Sequence, residues 1–487
     1  MSNLSELLPA GGAAKEFEPV ASGTLPNGQA VILKANGQVE AVAASGSAFS
    51  KGSASVFDTN NPNEGVSVVY DSLNDKIVVV YSDSGNSSYG TAIVGTVSGT
   101  SISFGTAVVF NSGNTQKVSA VFDSNSNKVI PVWNQVIGTS LRAIVGTVSG
   151  TGISFGSSVT FSSDSGAFIN STFDSNSNKV VIAYMDDGNS FHGSAIVGTV
   201  SGTSISFGSV TVFENFQTEH IGMTFDSNLN KVVIGFQRSN KGYGIVGTVS
   251  GTGISFGTKV KTDGSNNARY FLLTFDTTNN KVVFGYISVP NAEAVAAVVG
   301  TISGTAISFD TPTILISGGI DNYRVYGATY DSTANKVCFS SRRESNNFID
   351  ITSASVSGTT LVSISSNSLD VPTASFAPIV YDSDTNTVVC VYQDTGNSSR
   401  GTAIVSTTDT FSTNLSSTNF VGITAEAITS GATGVVVPQG GVATNLSSLT
   451  IGSEYYVQAN GTVSTVSTSP AVNIGKAISA TSLILKG

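Results

Sequence analysis

Three observations predict an all-β fold: a seven-bladed β-propeller closed by an N-terminal strand, plus a small β module formed by the N- and C-terminal segments. First, an aromatic residue, an aspartate, a few small polar residues and a β-branched run recur seven times, with the aspartates at Asp71, Asp123, Asp174, Asp226, Asp276, Asp331 and Asp382. Their spacing of 50 to 55 residues is the period of four-stranded blades. Second, 11% of the residues are charged and 40% hydrophobic, with 52 glycines, a balance that suits many strands and turns rather than disorder. Third, the seventh repeat lacks a fourth strand, and an unmatched copy of that strand precedes the first repeat.

Residues 1–45 read as an N-terminal arm and a β-hairpin. Pro9 to Ala13 interrupt regular structure, and Asn27-Gly28 and Asn36-Gly37 are turn signals between alternating apolar residues. The propeller is expected over residues 46–411. Each repeat divides into four strands, the first two joined by a turn whose aspartate can bond the backbone two residues on. The third and fourth join through Ser-Gly-Thr, as at Ser98, Gly99 and Thr100. Runs such as Lys179-Val-Val-Ile-Ala-Tyr-Met185 are apolar on both faces, as in a sheet covered on two sides. Residues 48–57 align with 102–110, the last strand of the first repeat, and are expected to complete blade seven; otherwise two sheet edges would stay unpaired.

Residues 412–487 are expected to form a C-terminal β module packing with residues 20–44. Leu25, Gly28, Ala35-Asn36-Gly37, Val39 and Val42 match Leu449, Gly452, Ala459-Asn460-Gly461, Val463 and Val466 in order and spacing. The flanks therefore read as two copies of one β unit, packed together at one rim or each paired with a neighbouring subunit. Cys338 and Cys390, seven and eight residues after their aspartates, are expected as buried thiols on opposite strand faces, not as a disulfide.

The net charge of −10 argues against nucleic acid or an anionic membrane as partner. No run approaches eighteen apolar residues, so membrane insertion is not expected. The N-terminus lacks a basic and an apolar signal region, so synthesis in a cytoplasm is expected.

The Asp-Ser-Asn-Ser-Asn turns resemble alternating-oxygen calcium loops, but they are too short for that chemistry and recur in every repeat; turn stabilisation is the expectation, with no metal and no cofactor. His192 and His220 are the only histidines and have neither metal nor triad spacing. Asp186, Asp187 and Glu344 would form a glycosidase pair only through a coincidence of folding, and Arg142, Arg238, Arg342 and Arg400 fall at unrelated positions. No catalytic residue is assigned and no enzyme is expected. The loops between strands two and three, and from strand four to the next repeat, vary while the scaffold turns stay uniform. Recognition is expected on that irregular face, with Trp133, His192, His220, Tyr243, Arg342 and Arg343 as candidate ligand-binding residues. The alternative is drift in solvent loops.

The C-terminal FVGITAEAITSGATGVVV, LTIGSEYYVQANGTVSTV and IGKAISATSLILKG segments resemble the terminal β modules of structural proteins from tailed phages, particularly marine and cyanobacterial ones. MSNLSELLPAGG and the VGTVSGTSISFG repeats are similar to the same group. The resemblance implies a virion location and a role as appendage, fibre or head-decorating protein. It implies docking on other virion proteins through the terminal segments, homo-oligomerisation, and display of the propeller for adsorption to a host cell-surface glycan. The alternative is a non-viral, lectin-like carbohydrate-binding propeller.

Overall fold

A computed structural model describes residues 16–136, 139–262, 267–291, 293–317, 323–343, 345–373, 376–409, 412–416, 418–458, 460–465 and 472–486. The expected N-terminal arm, residues 1–13, and Glu344 lie outside the described residues. The chain divides into two compact units, Phe49–Asp409 and a second made of Met1–Ala48 with Thr410–Gly487.

The larger unit is built on the repeated aspartate. In each of the seven hairpins its Oδ1 accepts hydrogen bonds from the backbone N–H groups two and three residues on. Asp71 takes them from Leu73 and Asn74 at 3.1 and 3.0 Å, and Asp382 from Asp384 and Thr385 at 3.0 and 3.2 Å. The residue four positions after the aspartate has a left-handed φ of 52° to 56°, at Asp75, Asn127, Asn178, Asn230, Asn280, Asn335 and Asn386. Asn and Asp tolerate that region better than other side chains. All seven aspartates are buried with their oxygens directed at the turn, which makes the motif a hairpin device.

After each turn comes a strand covered on both faces: Ile77, Val78, Val79, Val80 and Tyr81 are each at most 1% exposed. The apolar clusters form between consecutive sheets. One joins Val121, Ile130 and Val132 to Ile182 and Tyr184, and the next joins Val181 and Val197 to Met223, Ile234 and Phe236. Four-stranded antiparallel sheets packed face to face in succession make this a β-propeller. In the third repeat the strand order is Gly166–Asp174, Lys179–Asp186, His192–Ser201, Ser204–Phe207, with Thr211–Gln217 continuing the fourth position.

Fourth strands lock onto the neighbouring sheet through one glycine. A Cβ on Gly105, Gly156, Gly208 or Gly257 would lie 1.9 to 2.0 Å from the carbonyl oxygen of Thr151, Thr203, Thr252 or Thr305, each in the Ser-Gly-Thr turn of the next repeat. No side chain fits there. In the fifth repeat Asp310 takes the glycine's place and accepts a 2.6 Å bond from the Thr359 hydroxyl.

The seventh repeat contributes Ile379–Asp382, Thr387–Asp394 and Arg400–Ser406, and its sheet ends on Ser55–Asp58 from the start of the unit. The pairing is antiparallel, Thr402 with Val56 and Ala403 with Ser55. Gly52, just upstream, repeats the lock: its Cβ would lie 1.8 Å from the Thr100 carbonyl of the first repeat. One cluster holds Phe57, Val389, Val391 and Val405 together with Val68, Ile77 and Val79. Cys338 and Cys390 are free, fully buried thiols between the sixth and seventh sheets; burial pushes the Cys338 thiol up to about 12.

The second unit contains two equivalent sheets. One runs Val39–Ala41, Ala30–Leu33, Phe420–Thr424, Val436–Pro438 and the other Val463–Ser464, Glu454–Val457, Val472–Ala477, Leu483–Leu485, Val442–Ala443. The match extends to register. Ala30 faces Ile423, Val31 faces Gly422, then a bulge shifts Ile32 to Phe420. Glu454 faces Lys476, Tyr455 faces Gly475, then a bulge shifts Tyr456 to Asn473. The second copy is contiguous, whereas the first is interrupted between Val39–Ala41 and Phe420–Thr424 by the whole propeller. Ala30, Ile32, Phe420 and Ile423 of the first sheet share a core with Tyr455, Val457, Ile474 and Leu483 of the second. In the second copy the counterparts of those first-sheet residues are Glu454, Tyr456, Asn473 and Lys476, a polar outer face of the kind that ends a stack.

Candidate binding face

Backbone hydrogen bonds tie the loops between strands two and three to the segments entering first strands. Asp187 donates to Ser165 at 3.2 Å, Val289 to Asn267 at 3.0 Å, and Thr373 to Asn347 at 2.8 Å. Both irregular loop sets therefore share one end of the sheets, opposite the aspartate hairpins.

Near that end the first strands of the first, third, fourth, fifth and sixth repeats break register. The break falls between Asn63 and Val66, Ala167 and Asn170, Glu219 and Gly222, Arg269 and Leu272, and Val325 and Gly327. Six residues before the motif aspartate stand Gly65, Lys117, Phe168, His220 and Tyr270, with φ of 144°, 53°, 50°, 51° and 61°. Left-handed backbone is uncommon for bulky residues and costs roughly 1–2 kcal/mol each.

Three of these residues, from consecutive repeats, stand in a row. The Phe168 and His220 ring centroids are 4.9 Å apart at 60°, and His220 and Tyr270 are 4.2 Å apart at 52°. All three are half-buried. The Arg269 guanidinium lies 5.7 Å from the Tyr270 ring centre and pairs with Glu293. Glu219 accepts a 2.9 Å bond from the Gln217 amide. Burial first, and the nearby Arg269 charge second, bring the His220 imidazole down to about 4, so it is neutral at pH 7.

A second cluster joins the third and fourth repeats. Glu214, 1% exposed, pairs with Lys259 and, at 3.7 Å, with Arg238. Arg238 stacks 3.6 Å over the Phe216 ring, and Lys259 lies 5.7 Å from that of Tyr243. The one buried carboxylate is thus shared by two cations.

The six sequence candidates do not form one site. Trp133 is a correction: it is fully buried, packs edge-on against Phe110 at 5.1 Å and donates to Gln135 at 3.3 Å. It stands ten residues after its motif aspartate, where other repeats carry the buried rings of Tyr81, Tyr184, Phe236, Tyr286 and Tyr392, so it is core. Arg342 is a further correction, buried on its strand and donating to the Thr373 carbonyl at 3.4 Å. Its neighbour Arg343 pairs with Asp350 at 3.2 Å. Tyr243 stacks on Phe236 at 5.7 Å in the fourth repeat, and His192 opens the third strand of the third repeat opposite Asp186. His220 alone lies in the aromatic row. Phe168 and Tyr270 were missed, although aligning the repeats on the motif aspartate puts both in the same column as His220.

No protein-family model and no curated protein matches the chain. Among solved structures it is similar to the β-propeller domain of Cps50 (Swd1) from Myceliophteria thermophila, with a TM-score of 0.48 and 7% identity over 72% of this chain and 99% of that one. It is similar to the periplasmic gluconolactonase PpgL of Pseudomonas aeruginosa, with a TM-score of 0.46 and 12% identity over 80% and 100% of the two chains. For the Dos1 propeller the TM-score is 0.42 and the identity 10%, over 81% and 94%. These are likenesses of fold and carry no function across.

Proposed function

We propose that this chain is a structural component of a tailed-phage virion: an appendage, fibre or head-decorating protein, not an enzyme. Its terminal β unit docks on other virion proteins. A closed seven-bladed propeller is displayed for adsorption to a host-surface glycan, and the protein works as a homo-oligomer. The observation that carries this reading is the terminal unit, whose segments resemble phage terminal modules and which holds two register-matched copies of one sheet, the propeller inserted in the first. That arrangement suits an anchor with a displayed cassette. Ring closure draws its support from the pairing of Ser55–Asp58 with Arg400–Ser406 and from the Gly52 lock.

Mass spectrometry of gradient-purified phage particles, with immunogold labelling, tests the assignment. The protein is expected in the particle fraction at a fixed ratio to other structural proteins; its absence there, with abundant free protein in the lysate, overturns it. The aromatic row taken alone favours a second reading, a non-viral carbohydrate-binding propeller. That reading expects glycan binding without particle association.

A further inference from the structure

We infer that Phe168, His220 and Tyr270 form a seat for a pyranose ring of the host-surface glycan, an inference that rests on the adsorption reading above. The bulge itself does not require these residues. Its equivalent in the first repeat is Gly65 and in the second Lys117, so the fold accepts a position without a side chain. Three consecutive repeats instead place rings there in an unfavourable backbone region. Such strain persists only where the surroundings impose it, and it concentrates at binding sites.

The chemistry of the row is that of a sugar site. A pyranose offers an apolar C–H surface and a rim of hydroxyls. Half-buried aromatic rings supply the matching surface, held rigidly by their neighbours. Beside them stand donors and acceptors suited to hydroxyls: the Arg269 guanidinium near the Tyr270 ring, with its partner Glu293, and the neutral His220 ring itself. A nucleobase would also stack on such rings, but single-stranded nucleic acid requires a basic groove, and this chain carries a net charge of −10.

The presence of two histidines makes the test direct, because the imidazole Cε1–Hε1 NMR region holds two signals. The full-length protein is titrated with methyl glycosides of glucose, galactose, mannose, rhamnose and N-acetylglucosamine, and is applied to an array of bacterial surface polysaccharides. At least one probe is expected to move the His220 signal and leave His192 in place. Phe168→Gly and Tyr270→Gly suit the left-handed backbone and remove the rings. Each is expected to weaken polysaccharide binding by about tenfold or more, ~1.4 kcal/mol, while Phe216→Ala in the second cluster, around Glu214, stays close to the parent. A His220 signal unmoved by every probe overturns the inference, as does undiminished binding in the Phe168→Gly/Tyr270→Gly double variant with a parental melting curve. Binding of methyl glycosides without polymer binding identifies a free-sugar site and overturns the surface-glycan assignment. Particle mass spectrometry is independent of all these outcomes, so a failed sugar seat and a failed virion assignment are told apart.

Discussion

Each hairpin aspartate satisfies two backbone N–H groups from a buried position, so removing its carboxylate strands both donors. Asp276 accepts from Thr278 and Asn279 at 2.9 Å each, and its second oxygen takes the Asn279 amide at 2.9 Å. Asp276→Ala is expected to cost about 1–3 kcal/mol and Asp276→Asn distinctly less, because Asn keeps the Oδ1 acceptor; urea unfolding measures both. His220 has an acid signature. Its folded pKa lies below the ordinary value, so the unfolded state binds the proton more readily. Its contribution to stability is complete above pH 6.5 and is lost as pH falls toward 4. Burial, and then Asp58, raise the Asp83 carboxyl, which acts with the opposite sign over the low end of that range. The difference between parent and His220→Asn isolates the imidazole, and the parent is expected to lose more melting temperature between pH 6.5 and 4. These residues also show what the sequence made legible. The aspartate hairpins recur in register and could be read as scaffold. Trp133 was expected on the irregular face, yet its column in the repeat is a buried ring. Phe168 and Tyr270 were not legible as a row with His220, because a bulge that brings rings of neighbouring repeats together leaves no mark in composition.

Single elements depend on where a side chain is forbidden. Gly99 lies in a Ser-Gly-Thr turn and Gly52 in the segment that completes the seventh sheet, and their surroundings differ. Gly99 has φ of +58° and nothing within 4 Å of its Cβ position, whereas Gly52 faces the Thr100 carbonyl. Gly99→Ala is expected to cost about 1–2 kcal/mol in backbone strain. Gly52→Ala must move a neighbouring backbone, and a cost of about 3 kcal/mol or more is expected, visible as a lower thermal midpoint for the propeller. Equal midpoints for the two variants would show that the Gly52 contact does not hold the N-terminal strand. That strand was readable from sequence through its alignment with residues 102–110. The lock was not, because it pairs a glycine with a carbonyl about 50 residues away, and backbone carbonyls look alike in every sequence.

At the scale of the whole chain, the two terminal sheets are copies of one β unit, and only the first is interrupted by the propeller. In the second copy the strand Val463–Ser464 reaches Val472–Ala477 through a short connection; in the first, the equivalent passage from Val39–Ala41 to Phe420–Thr424 contains the propeller. The shared bulge and register argue that both passages leave and re-enter one β unit at the same point. A β unit whose strands are joined by seven residues in one copy does not need a propeller between them in the other. Replacing residues 46–411 with a linker as long as residues 465–471 is therefore expected to give a folded protein, since the core joining Ile32, Phe420 and Ile423 to Val457, Ile474 and Leu483 stays intact. Dispersed amide signals and one cooperative melting transition are the expected outcome. A chain without dispersion would mean that the first copy depends on the propeller for its stability, and the two units would then unfold as one cooperative body. The polar residues Glu454, Asn473 and Lys476 on the outer face of the second copy further imply that this excised unit stays monomeric through that face, which sedimentation at rising concentration measures directly.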